Sequence, residues 1–197
     1  RAQSKVGDSS IKFDGTGDAL TIPASSDFNI GTNFTVECWF RYGEDAAYDQ
    51  GIMGTQDSGG YSGFFWRIDA TTKLTFDNYS ASGGVGDEVK FSSASLTWVT
   101  DQWYHLAVVK DGDDYEMFRD GTSVATDTDT TSLTAGGTLF IGKNYASVYT
   151  ECYMDEIRIS DSARYTSSFT PSTTAFTADS NTKLLIHSDF NGGLGAD

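Results

Sequence analysis

Three aspartates in this chain are spaced to hold a cation. In YMDEIRIS, Tyr153–Ser160, period-two alternation puts Tyr153, Asp155, Ile157 and Ile159 on one strand face, and the isoleucines assign that face to the core. Asp155 is then an inward carboxylate, and an unpaired buried charge is costly. In FDGTGDALTI, Phe13–Ile22, Leu20 and Ile22 point inward, Asp18 shares their parity and Asp14 sits in the turn before it. Calcium takes roughly six to eight oxygens, and a loop through Gly15 and Gly17 frees carbonyls to complete a shell. Two readings stand side by side. Either Asp14, Asp18 and Asp155 share one structural calcium, or Asp14 and Asp18 make turn hydrogen bonds and Asp155 accepts from neighbouring amides.

A second group has the chemistry of a sugar site, where aromatic faces stack on rings and a few polar groups fix hydroxyls. In GFFWRID, Phe64, Trp66 and Ile68 share one face and suit a core. Phe65, Arg67 and Asp69 share the other, setting an aromatic, a bidentate donor and an acceptor in one row. Tyr48, Tyr61, Tyr145 and Tyr149 lie in Gly-, Ser- and Asp-rich stretches expected to rim one end of the molecule. The plainer alternative is that these tyrosines pack beneath their own loops.

Catalytic signals are thin. Asp155 and Glu156 are adjacent, so an unbroken strand sends them to opposite faces, where they cannot flank one glycosidic bond. His105 and His187 sit in strand contexts and read as hydrogen-bonded structural histidines. No G-x-S-x-G elbow or phosphate-cradling glycine loop is present, and DGDDYEMFRDG departs from the EF-hand pattern. Asn33 and Asn78 fit the N-x-S/T acceptor pattern. The thiols of Cys38 and Cys152 have opposite parity and are expected to be free.

The elements that must position these residues are short β-type runs bounded by turn residues: SIKFDG, ALTIPA, FTVECWFR, GFFWRID, KLTFDNY, WYHLAVVKD, YEMFRDG, TLFIGKN, YMDEIRIS and KLLIHSDF among them. No sustained helical period occurs, and at most one helical turn fits around SDSARY. With 197 residues, 38% of them hydrophobic, one domain with a filled core is expected. Without helices to cover a sheet, two sheets must cover each other, so the predicted fold is all-β, a two-sheet antiparallel jelly-roll sandwich. A net charge of -15 opposes nucleic acid and anionic lipid, and no apolar run is long enough for a membrane helix, so no nucleic-acid partner and no membrane insertion are expected. RAQSKVGDSS lacks an initiator Met and reads as excised from something longer.

The ordered set IKFDGTGDALTIP, FTVECWFR, WYHLAVVKDG, MFRDGT, LFIGKN and YMDEIRISDSARY resembles the laminin G-like branch of the concanavalin A-like lectin/glucanase superfamily. The resemblance runs from about Val6 to about Pro171. It implies residues 1–170 as a laminin G-like jelly roll. From the residues, Thr166–Thr182 is polar and Ser/Thr-rich and reads as a strap or linker, so 171–197 is expected to be a strap or last strand, with KLLIHSDF either the last strand of this domain or the first of a following one. The resemblance implies a secreted or surface module that binds glycans or proteins and sometimes calcium. The superfamily's glucanases carry E-x-D-x-E, which this chain lacks. Glu37 and Arg158, in runs that the family pairs, are expected to form an exposed cross-strand ion pair worth less than ~1 kcal/mol. The expected function is a non-catalytic, lectin-like module of a larger extracellular, cell-surface or virion-borne protein, recognising a glycan or glycoprotein receptor. Alternatives are a virion decoration or tail-fibre domain, or an accessory domain of a polysaccharide-degrading enzyme.

Overall fold

β-Branched and aromatic runs with polar alternation favour half-buried strands, and the computed structural model realises them as such. The structure describes residues 4–43, 49–57, 59–79, 87–134, 137–144 and 147–189. The strands are β1 (Ile11–Asp14), β2 (Leu20–Ile22), β3 (Asn33–Tyr42), β4 (Gln50–Asp57), β5 (Gly60–Ile68), β6 (Leu74–Tyr79), β7 (Asp87–Ser92), β8 (Trp103–Asp111), β9 (Asp114–Arg119), β10 (Thr122–Thr128), β11 (Thr138–Ile141), β12 (Glu151–Ser160) and β13 (Thr182–Ile186). Among the described residues the only helix is a 3-10 turn at Ser26–Phe28, and the SDSARY segment is extended or bent chain.

Two antiparallel sheets form a jelly-roll sandwich. The larger has seven strands in the order β1-β12-β3-β8-β9-β10, with β13 also pairing β12, and the smaller has six in the order β2-β11-β4-β5-β6-β7. Between them lie Val36, Phe40, Leu106, Val108 and Met117 from one sheet and Phe64, Trp66, Phe76, Leu139 and Ile141 from the other, all fully buried. Each such side chain contributes about 1.5–3 kcal/mol by leaving water.

One irregularity decides what the larger sheet presents outward. In β12 the register against β3 slips from Asp155↔Trp39 to Arg158↔Glu37, a β-bulge, with Glu156 in the left-handed region at φ 49°. Cys152 and Met154 before the bulge face the core, and so do Ile157 and Ile159 after it. The unbroken alternation read from the sequence therefore fails, and Tyr153 and Asp155 lie on the outer face. Cys152 and Cys38 both face the core as free thiols, correcting the opposite-face reading. Cys152 pairs with Tyr42, four residues along β3 from Cys38, which sets them about 13 Å apart along the strand and out of bonding range.

Residues 161–181 cross the outer face of the larger sheet as a strap. The Arg164 amide donates to Thr35 Oγ1 (2.9 Å), the Phe169 amide to Gly121 O (2.9 Å) and Trp39 Nε1 to Ser172 O (3.2 Å). Beneath the strap Glu37 is fully buried. Its Oε1 accepts from Arg158 Nε (2.8 Å) and Nη2 (2.6 Å), and its Oε2 from His105 Nε2 (3.1 Å) and Tyr165 OH (2.8 Å). The expected exposed Glu37–Arg158 pair is thus a buried hub, because the strap covers it. After the strap, β13 returns to pair with β12 in the same sheet.

Candidate functional site

The bulge also determines what Asp155 meets. Along one edge of β12, β1 pairs with residues 151–154 and β13 with residues 157–160, and Asp155 sits at the gap between them. Its Oδ2 accepts from the amides of Lys5 (3.1 Å) and Val6 (2.9 Å), and its Oδ1 from that of Glu156 (2.9 Å). Burial pushes its pKa up, and the Val6 and Lys5 amides offset this only in part. Asp14 and Asp18 are brought together in their turn: Thr16 N–H donates to Asp14 Oδ1 (2.7 Å), and Asp14 N–H to Asp18 Oδ2 (3.3 Å). Asp14, however, pairs with Glu151, four residues and about 13 Å along β12 from Asp155. The three do not converge, and no group of three ligating side chains gathers among the described residues.

Glu156 corrects the reading that it opposes Asp155 across the sheet. It too lies under the strap side, accepting from Phe176 N–H (2.5 Å) and paired with His187 Nδ1 (2.8 Å). Both carboxylates are 1% exposed. What withholds them from a glycosidic bond is burial and commitment to amide donors, not opposite faces.

On the smaller sheet, Phe64, Trp66 and Ile68 join the core. Phe65 and Arg67 do point to the other face, but they are only 1% and 8% exposed. The Phe65 and Phe140 rings, 6.1 Å apart, close over Gly54, where a Cβ would collide with both. Arg67 donates to buried Asp77 and lies 3.3 Å from Asp49 Oδ2. Asp69 is a turn residue, accepting from Thr71 N–H (2.8 Å), Thr71 Oγ1 (2.7 Å) and Lys73 N–H (3.0 Å). These bonds hold its carboxyl below the usual range although burial opposes charge there. Tyr149 is half-buried and bridges to Lys143. Tyr61 lies in β5, and Tyr48 and Tyr145 fall outside the described residues. The row expected to be open is therefore largely interior.

A better-exposed surface lies on the outer face of the larger sheet, just past the strap. Register places Lys12 opposite Tyr153, Tyr153 opposite Arg41, and Arg41 opposite Trp103, one line across β1, β12, β3 and β8. Lys12 is exposed, and the other three are half-buried. Arg41 is pinned by Asp101, through Nη2 to Oδ1 (2.8 Å) and Nε to the carbonyl (2.9 Å). Its Cζ lies 4.9 Å from the Tyr153 ring centre, and Lys12 Nζ lies 5.9 Å from it. Among the described residues Trp103 makes no ring contact and no side-chain hydrogen bond. The strap forms one side, since Trp39 in the next line inward is bonded to it. On the other side, in β1 and β12, lie the exposed Asp14 and Glu151. Two aromatic rings with cations between and beside them can stack on apolar ring faces and donate to oxygens. Sequence parity put Tyr153 inward; the bulge turns it outward, and the register then sets it in line with Lys12, Arg41 and Trp103.

A family model of the concanavalin A-like lectin/glucanases superfamily, of laminin G type, matches residues 14–168. The chain belongs to that superfamily. No curated protein matches it. Among solved structures, this laminin G-like chain resembles a Bacteroides ovatus protein provisionally named as carbohydrate binding, at 17% identity and TM-score 0.69 over 90% of this chain and 50% of that one. The laminin G-like chain thus spans half the length of that protein. It also resembles the carbohydrate-binding module of the Ruminococcus gnavus IT-sialidase, bound to α2,3 sialyllactose, at 9% identity and TM-score 0.58 over 79% and 93% of the chains. A third is domain 4 of an extracellular arabinanase from Geobacillus stearothermophilus, with arabinotriose, at 17% identity and TM-score 0.54 over 80% and 77%. At these identities the likeness is one of fold.

Proposed function

We propose that this domain is a non-catalytic carbohydrate-binding module of a larger extracellular chain, and that the Lys12–Tyr153–Arg41–Trp103 row is its contact surface. The observation carrying the reading is Trp103, a half-buried ring on a sheet face with no ring or side-chain hydrogen-bond partner among the described residues, in line with a second ring that cations flank. Its neighbours in fold lend support: one is a module of a sialidase and another a domain of an arabinanase, each solved with a saccharide. The buried, amide-bonded state of Asp155 and Glu156 supports the non-catalytic part. A glycan array probed with the wild-type domain, Trp103→Ala and Tyr153→Ala tests it. Wild-type binding to a set of glycans that both variants lose is the expected result. An array with no bound glycan would overturn the reading in favour of a protein-contact domain.

A further inference from the structure

Resting on that reading of the row, we infer that it takes an internal stretch of a linear glycan, about three or more sugar units, and not a terminal sugar. Tyr153 lies on β12 and Trp103 on β8, with β3 between them. Strands are spaced about 4.8 Å apart, so the backbone positions that carry the two rings lie about 10 Å apart along one line, roughly the length of two hexose units in an extended chain. Rings at that spacing stack on units one and three while the Arg41 guanidinium, held by Asp101, lies under unit two.

The setting suits a strand of sugar that enters and leaves. The row runs across a sheet face, β1 is an edge strand, and beyond Lys12 the line meets no further strand among the described residues. The strap flanks the row on the Trp39 side. Recognition of a chain terminus needs a concave site that encloses most of the ligand. A line of separated rings on a sheet instead collects binding free energy one unit at a time, so affinity must grow with chain length.

The test uses matched ladders of one to six units of arabino-, xylo-, cello- and galacto-oligosaccharides, titrated by calorimetry into the wild-type domain, Trp103→Ala, Tyr153→Ala and, as a fold-preserving variant, Trp103→Phe. For a ladder that binds, affinity is expected to rise at least about tenfold between two and four units, about 1.4 kcal/mol. Both alanine variants should flatten that rise, and Trp103→Phe should retain part of it. A mono- or disaccharide that binds as tightly as the six-unit chain overturns this inference and leaves the carbohydrate-binding reading standing. A length-dependent rise that survives both alanine variants overturns the row as its origin. Failure of every ladder, together with a silent array, overturns the carbohydrate-binding reading itself.

Discussion

Glu37 and Asp155 are both buried carboxylates stabilised by donors distant in sequence, Asp155 also accepting from the adjacent Glu156 amide. Glu37 receives four hydrogen bonds, from Arg158, His105 and Tyr165. Glu37→Ala leaves the Arg158 guanidinium buried and unpaired, and should lower the unfolding free energy by about 3–5 kcal/mol, read from urea denaturation. Asp155→Asn sets an amide against the Lys5 and Val6 N–H groups. A loss of about 1–3 kcal/mol is expected, equal in calcium and in chelator, because the donors are protein amides. A larger loss in calcium than in chelator would show a metal contribution. The pairing of Glu37 with Arg158 is legible from outward parity taken together with the strand pairing that the family resemblance implies. Its burial is not, because the covering residues Tyr165, Phe169 and Phe176 lie more than a hundred positions away. The Phe65 and Arg67 alternation is legible too, whereas their coverage depends on Phe140 and Asp77 from other strands.

At the scale of elements, the strands were readable because each is a short β-type run closed by turn residues. The bulge in β12 was not, since the residue in the left-handed region is Glu156, with no glycine to mark it. That single extra residue moves Tyr153 and Asp155 outward and so creates the candidate row. The strap reads in sequence as a polar, Ser/Thr-rich linker. What holds it down are its few aromatics, notably Tyr165 and Phe169, stacked 3.6 Å apart and set edge-on to His105 and Phe118. Gly121, at φ 73°, gives the strap room, because a Cβ there would collide with the Phe169 carbonyl. Gly121→Ala should therefore lift the strap, making residues 161–181 the first site of limited proteolysis while the sandwich stays folded. Cleavage unchanged from wild type would show that the strap does not depend on that contact.

Across the whole molecule, a formal charge of -15 repels itself, and the buried carboxyls set how stability responds to pH. Burial raises the pKa of Asp155 and of Asp77, so their stabilising contributions are present at low pH and fade as pH rises through those raised values. Glu37 runs the other way. Burial opposes its charge, but His105, Arg158 and Tyr165 hold its carboxyl below the ordinary 4.5, so its contribution is present above that value and lost as pH falls beneath it. The melting temperature should therefore rise as pH falls from neutral towards 4.5, and drop again beneath that value as Glu37 takes up its proton. A monotonic rise to pH 8 would contradict this. In the proposed function the outer face of the larger sheet binds carbohydrate through the line of Lys12, Tyr153, Arg41 and Trp103. Its most direct measurement is a titration of wild type and Trp103→Ala with one array-identified glycan, alongside the melting temperature of each. At least about a tenfold loss of affinity with a nearly unchanged melting temperature is expected. Equal affinity in the two proteins would contradict the proposed function.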